Sequence, residues 1–264
     1  MTRRKEGLSK KKQVLEALFQ HCLEQGDMTF GNDVVNRIAK EKGFKNHFDA
    51  VKIDRRELLP DTLMERDYVL AHVGGGYHQF IKGVDVWYHS FEGIAPHERK
   101  KWAYRPSILN HVNDSESNMI SMCFNQRVTY DFLYNDTSAS PLSYNAHRTK
   151  MDVRYYVKGD LPIEGKRVQV EIDATYEHDG VVTVLEAKNG FGDNFSLYQL
   201  FHPYLYYRGI QKNDERIKAI NCCYLLGSKD KKMVRLYLYD FRDDERIGSI
   251  RLLKKAEYQL VHGR

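Results

Sequence analysis

Asp173, Glu186 and Lys188 are the side-chain types that hold a hard divalent cation and present a water molecule to an electrophile. Their chemistry depends on whether the chain brings them together. Residues 168–174 alternate, with Val168, Val170, Ile172 and Ala174 on one face and Gln169, Glu171 and Asp173 on the other, the pattern of a half-buried strand. Residues 181–188 are also strand-like, with Leu185 and Ala187 toward the core and Glu186 and Lys188 away from it. Asp179-Gly180 between them is a strong signal for a two-residue type I′ turn. That turn pairs His178 with Val181 and, counting outward, Asp173 with Glu186 and Glu171 with Lys188. Asp173 and Glu186 then form a non-hydrogen-bonded pair with Cα atoms ~4.5 Å apart and side chains on one face. Two carboxylates so placed repel unless positive charge lies between them, and Mg²⁺ with oxygen ligands supplies it. The competing arrangement is a solvated hairpin with Glu171 and Lys188 as a cross-strand ion pair. It leaves Asp173 against Glu186 as an unrelieved like-charge pair.

The string Asp173, twelve intervening residues, then Glu186-Ala187-Lys188 resembles the active-site motif of the PD-(D/E)XK nucleases. Ile172 replaces the proline of the motif's name. Glu-x-Lys occurs three times in the chain, at Glu98, Glu164 and Glu186, but only the third ends a strand opposite an acid. The resemblance covers roughly residues 107–241. It implies that Asp173 and Glu186 bind Mg²⁺ with the Ala187 carbonyl, that Glu116 on the first helix is a further metal ligand, and that Lys188 orients or deprotonates the attacking water. The implied fold is α/β (α+β), a restriction endonuclease-like core with a mixed central sheet flanked by helices.

Periodicity supports that order of elements. A helix is expected over 115–134 with Asp114 or Ser115 as cap, then a polar loop over 135–149. Strands follow at 151–157, 168–176 and 181–188, a helix at 195–209 that Pro203 should kink or end early, and strands at 217–226 and 233–241. Arg148, Lys150, Arg154 and Asn189 are candidate DNA contacts in this unit. Gln199 stands near the position of a Gln-Tyr motif of exonuclease-like members, but Pro203 and Tyr204 break its spacing, and the role is not carried over.

Residues 1–90 read as a separate unit: three short helices, the third running from an Asn46 cap to about Leu58, then two strands around Gly74-Gly75-Gly76. This order resembles a winged helix-turn-helix domain. That resemblance sends the third helix into a major groove and makes Asn46, Lys52, Arg55 and Arg56 DNA-binding candidates. Residues 91–106 read as a linker and 107–264 as the catalytic domain.

Composition sets the outer limits. The chain has 264 residues, 42% hydrophobic and 29% charged, and reads as folded and globular. Arg3, Arg4, Lys5, Lys10, Lys11 and Lys12 against Glu6 account for the whole net charge of +5. A mean hydropathy of -0.62 and short apolar runs argue against a membrane span. Glu16, Gln20 and His21 interrupt the one apolar stretch that could serve a signal peptide. Cys22, Cys123, Cys222 and Cys223 lack zinc spacing and read as free thiols of a cytoplasmic protein. His72, His78 and His89 form no ligand motif and read as structural. A DNA-reading module joined to a metal nuclease of this size resembles a type II restriction endonuclease, which implies Mg²⁺-dependent cleavage of double-stranded DNA by a homodimer. A repair or modification-dependent nuclease and a non-catalytic DNA-binding regulator are the alternatives.

Overall fold

The computed structural model describes residues 9–105, 107–108, 115–160, 162–228 and 232–262. Asp114 and the Arg3, Arg4 and Lys5 part of the basic tail lie outside them. The chain is a mixed α and β protein built on a seven-stranded sheet.

That sheet contains β5 (Arg99–Tyr104), β6 (Leu142–Tyr156), β7 (Pro162–His178), β8 (Val181–Asn189), β10 (Ala219–Ser228), β11 (Met233–Phe241) and β12 (Ile250–His262). Their spatial order is β5-β12-β11-β10-β8-β7-β6. β8 and β10 run parallel, as do β12 and β5; the other neighbours are antiparallel. Parallel neighbours require a crossover, and α8 (Tyr198–Gln211) supplies the one between β8 and β10. The sheet is covered on one face by α6 (Glu116–Asn125) and α7 (Val128–Tyr134) and on the other by α8. Cys222 and Cys223, adjacent on β10, fall into these two opposite layers, and all four cysteines are buried free thiols.

Several expected boundaries move. The helix expected over 115–134 is two helices, because Arg127 adopts a left-handed φ of 60° between them. Ser115 caps the first, accepting from the Asn118 N–H at 3.2 Å. The expected polar loop is largely the first half of β6, whose polar side chains line an exposed sheet edge that hides no apolar face. Pro203 lies inside α8 without ending it, since Leu200, Phe201 and Tyr204 around it are all buried. The stretch read as a linker contributes β5, and residues 250–262, which received no strand assignment, form β12.

The N-terminal segment folds as α1 (Lys10–Gln25), β1 (Thr29–Gly31), α2 (Asn32–Glu41), α3 (His47–Ala50), α4 (Asp61–Glu65) and the hairpin β2 (Tyr68–Gly74) and β3 (Tyr77–Lys82). The three strands are ordered β1-β3-β2. α5 (Val84–Trp87) then leads to β4 (Tyr88–Ser90), which pairs with β9 (Asn194–Ser196). The third helix is the main departure: it is one turn long, and 51–59 continues without an α-helix. Buried Ala50, Val51, Ile53 and Leu59 do not follow helical spacing. The segment instead docks on the β9 region. The Asp54 carbonyl accepts from the Ser196 N–H at 2.8 Å, the Arg56 N–H donates to Asn194 Oδ1 at 2.8 Å, and Asn194 also donates to Glu57.

One core joins the two regions. Leu15 and Leu18 of α1, Leu70 and Phe80 of the hairpin, Val170 of β7, Val184 of β8 and Phe201 of α8 belong to a single buried cluster. The hairpin lies directly on β7: a Cβ on Gly74 (φ 84°) would fall 1.9 Å from the Lys166 carbonyl oxygen.

Candidate active site

The β7–β8 hairpin has the register read from its turn. His178 faces Val181 and Ala174 faces Leu185, with Asp179 (φ 52°) and Gly180 (φ 81°) both left-handed as a type I′ turn requires. The β7–β8 pairing stops at Ala174, one step short of the expected Asp173–Glu186 pair. Asp173 Oδ2 instead accepts the Ala187 N–H at 3.0 Å. A side chain thus replaces the next backbone bond, and the strands part where two like charges would have been forced together.

Lys188 reaches into this opening. Its ammonium lies 2.6 Å from Glu186 Oε1, 3.2 Å from the Ala187 carbonyl oxygen and 3.5 Å from Glu116 Oε1. The alternative Glu171–Lys188 pair does not form; Arg148 takes Glu171 at 3.0 Å. Glu116 is in the first turn of α6, which points this acid at the hairpin mouth. Burial, with the Asp173 carboxylate adding to it, pushes the Glu186 carboxyl up to about 8 against the pull of Lys188. Burial also works against the Lys188 charge, but Glu186, Glu116 and Asp173 outweigh it and raise the ammonium above its usual range.

Behind this pair lies a support that the sequence reading set aside. Gln199 on α8 donates to Glu186 Oε1 at 2.8 Å, and the Tyr224 hydroxyl on β10 donates to Gln199 Oε1 at 3.2 Å. The broken spacing around Pro203 is immaterial, because Gln199 meets Glu186 through the first turn of α8, before the proline.

Asp173, Glu186, Glu116, Lys188 and Gln199 line a cleft of about 520 Å³. Its opposite wall comes from the N-terminal segment: Asn32, Phe48, Lys52, His72, Tyr77 and His78. His78 and His72 share a hydrogen bond between Nδ1 atoms 2.9 Å apart, and His78 Nε2 lies 2.9 Å from Asn32 Oδ1. Lys150 and Arg167 flank the cleft; nothing in the local sequence pattern marks Arg167 for this place.

The other candidate contacts scatter. Asn46 caps α3 through its Oδ1, Arg55 lies against Gly192, and Arg56 pairs with Asp85 at 3.3 Å. Arg154 pairs with Glu164 at 3.4 Å, and Asn189 ends β8 opposite Gly227. His89 stands apart from the cleft, 3.0 Å from Glu92.

Among the described residues, no three His, Cys, Asp or Glu side chains are gathered into a ready metal cage. The donors nonetheless suit a hard cation. All are oxygens, and three of them already surround the Lys188 ammonium, a positive charge at the point where carboxylates converge.

A family model described as a domain of unknown function, DUF6997, matches residues 84–259, about two-thirds of the chain. The chain belongs to the DUF6997 family. No curated protein and no solved structure matches it. The DUF6997 span contains every element of the carboxylate site, from α6 through β10, and stops short of the N-terminal wall. Among the described residues, no helix is long and apolar enough to cross a membrane.

Proposed function

We propose that the protein is a metal-dependent endonuclease that hydrolyses phosphodiester bonds of double-stranded DNA, in the manner of a type II restriction enzyme. One observation carries the reading: the hairpin opens at Asp173 and Glu186, and Lys188 stands among the carboxylates on the same face. A solvated surface hairpin has no reason to bury Glu186 or to hold it from behind with Gln199.

Asp173, Glu186, Glu116 and the Ala187 carbonyl would hold Mg²⁺. When bound, the ion acidifies a coordinated water and offsets charge on the phosphoryl group. Gln199 keeps Glu186 aimed at the cleft. Lys188 stays an ammonium in this surrounding, so it orients the water and meets the charge that grows on the phosphoryl oxygens.

The pairing of β1 with β3 beside helices α1 and α2 supports a winged helix-like N-terminal unit. The one-turn α3 leaves that unit without a groove-reading helix, so DNA contact falls to the hairpin and the cleft wall. Cutting both strands of a symmetric site calls for a homodimer.

Plasmid DNA incubated with the protein, in Mg²⁺ and in EDTA, tests this. Discrete Mg²⁺-dependent fragments are expected. Cutting confined to modified DNA would favour the modification-dependent alternative, and a gel shift without strand breaks at any metal concentration would leave only a DNA-binding role.

A further inference from the structure

The cleft wall opposite the carboxylates presents two large rings to solvent. Phe48 is 84% exposed and Tyr77 is 56% exposed, and both line the same cleft as Asp173 and Glu186. Neither ring supports the core, and neither meets a partner that would account for an apolar surface at the mouth of a polar site. Lys150 and Arg167, also at the cleft, form no ion pair among the described residues and remain available to phosphate.

The wall is also fixed in place. Gly74 is pressed onto the Lys166 backbone, and α1, β2 and β3 share one core with β7, β8 and α8. The wall cannot swing away to admit a broad ligand without opening that core. A volume of about 520 Å³ falls in the range of ~300–1,000 Å³ that encloses a single small molecule. That is room for a nucleotide.

Resting on the nuclease reading, we propose that the strand entering the cleft does so unpaired, with its base stacked on Phe48 and Tyr77 and its phosphate turned toward Asp173, Glu186 and Lys188. The class of substrate is then DNA that is locally open, or that the protein opens, at the point of attack. Aromatic stacking tolerates any base, because every base has a π-face.

The test uses the full chain in EDTA and two random-sequence duplexes, one fully paired and one with a central unpaired bubble, each with 2-aminopurine at the centre. Unpairing costs a few kcal/mol, so the bubble duplex, in which it is already open, is expected to bind about tenfold more tightly or better. Phe48→Ala and Tyr77→Ala should each reduce the bubble preference by about fivefold or more, through weaker binding of the bubble duplex. Equal binding of the two duplexes, failure of the bubble duplex to bind, or a preference that survives both substitutions overturns the proposal. Because this binding is measured without metal, a failure to cut plasmid in Mg²⁺ would count against the nuclease reading and leave this result standing.

Discussion

The Lys188 ammonium and the Glu186 carboxylate, two residues apart on one strand, meet at 2.6 Å on a face that is largely closed to water. Their strand would ordinarily point both outward as solvated neighbours. The cleft wall and Gln199 make the pair a shielded one, which raises the cost of disturbing either member.

Removing one partner should therefore be costlier than removing both. Lys188→Met leaves Glu186 shielded without its cation and should destabilise the metal-free protein by ~3 kcal/mol. Lys188→Met combined with Glu186→Gln should recover most of that loss. Urea denaturation of the two single variants and the double variant in EDTA measures the coupling; additive losses would show that the contact contributes nothing.

Asp173→Asn and Glu186→Gln should each lower Mg²⁺-dependent cleavage by about two orders of magnitude or more, given the charge stabilisation they remove. Affinity for DNA in EDTA should fall little. Nicking of supercoiled plasmid reports the first quantity and a gel shift the second. Wild-type cleavage by Asp173→Asn would remove the catalytic assignment.

Gln199 acts through Glu186, and its effect should be visible as positioning. Tyr224→Phe deletes the hydroxyl that holds Gln199 and should cost about 1 kcal/mol of stability. Gln199→Leu should reduce turnover and raise the Mg²⁺ concentration needed for half-maximal cleavage, with a smaller effect for Gln199→Glu at low pH. A Mg²⁺ titration of cleavage rate separates this from loss of folded protein.

Acid should weaken the fold through two buried imidazoles. Burial pushes His202 down to about 3, with His72 adding to it, and does the same to His78. In the unfolded chain each titrates near 6.5. The unfolded state therefore binds the extra proton first as pH falls below 6.5, and stability drops by ~1.4 kcal/mol per pH unit per histidine until the folded values are reached. Above 6.5 the two make no pH-dependent contribution. Subtracting the stability of His202→Gln from wild type at pH 7, 6 and 5 isolates one imidazole, and a flat difference would refute its buried, neutral state.

Gly74→Ala should be worse than Gly75→Ala. Both have left-handed φ values, 84° and 60°, but only Gly74 is pressed onto backbone, whereas the nearest atom to a Cβ at Gly75 is the Tyr77 ring at 3.7 Å. Thermal melts of the two should differ by several degrees, in line with a difference of ~1–3 kcal/mol.

What the sequence made legible was local. The Asp-Gly turn determines the β7–β8 register, and the alternation along 168–174 identifies the face of Asp173, because both signals act within a few residues. Glu116 is legible only through the resemblance, which places a further acid on the first helix. The end of the ladder at Ala174 was not legible, since it arises from a carboxylate competing for a backbone N–H across two strands. Nor was the loss of a long third helix, which depends on Asn194 and Ser196 receiving the 54–57 segment from more than a hundred residues away. The opposite wall of the cleft, with Asn32, His72 and His78, has no motif because only the packing of the hairpin on β7 brings it there.

The buried cluster that runs from Leu15 to Phe201 has a consequence for the family as a whole. The span shared with other members begins at Val84 and so takes up the sheet without α1, α2 or the three-stranded layer that roofs it here. Produced alone, that span would leave its own share of the cluster, Val170 and Val184 among it, without the Leu15, Leu18, Leu70 and Phe80 side chains that complete it. A relative with a different N-terminus must shelter the same side chains with some other structure, and whatever replaces the roof will also reshape the groove beneath it.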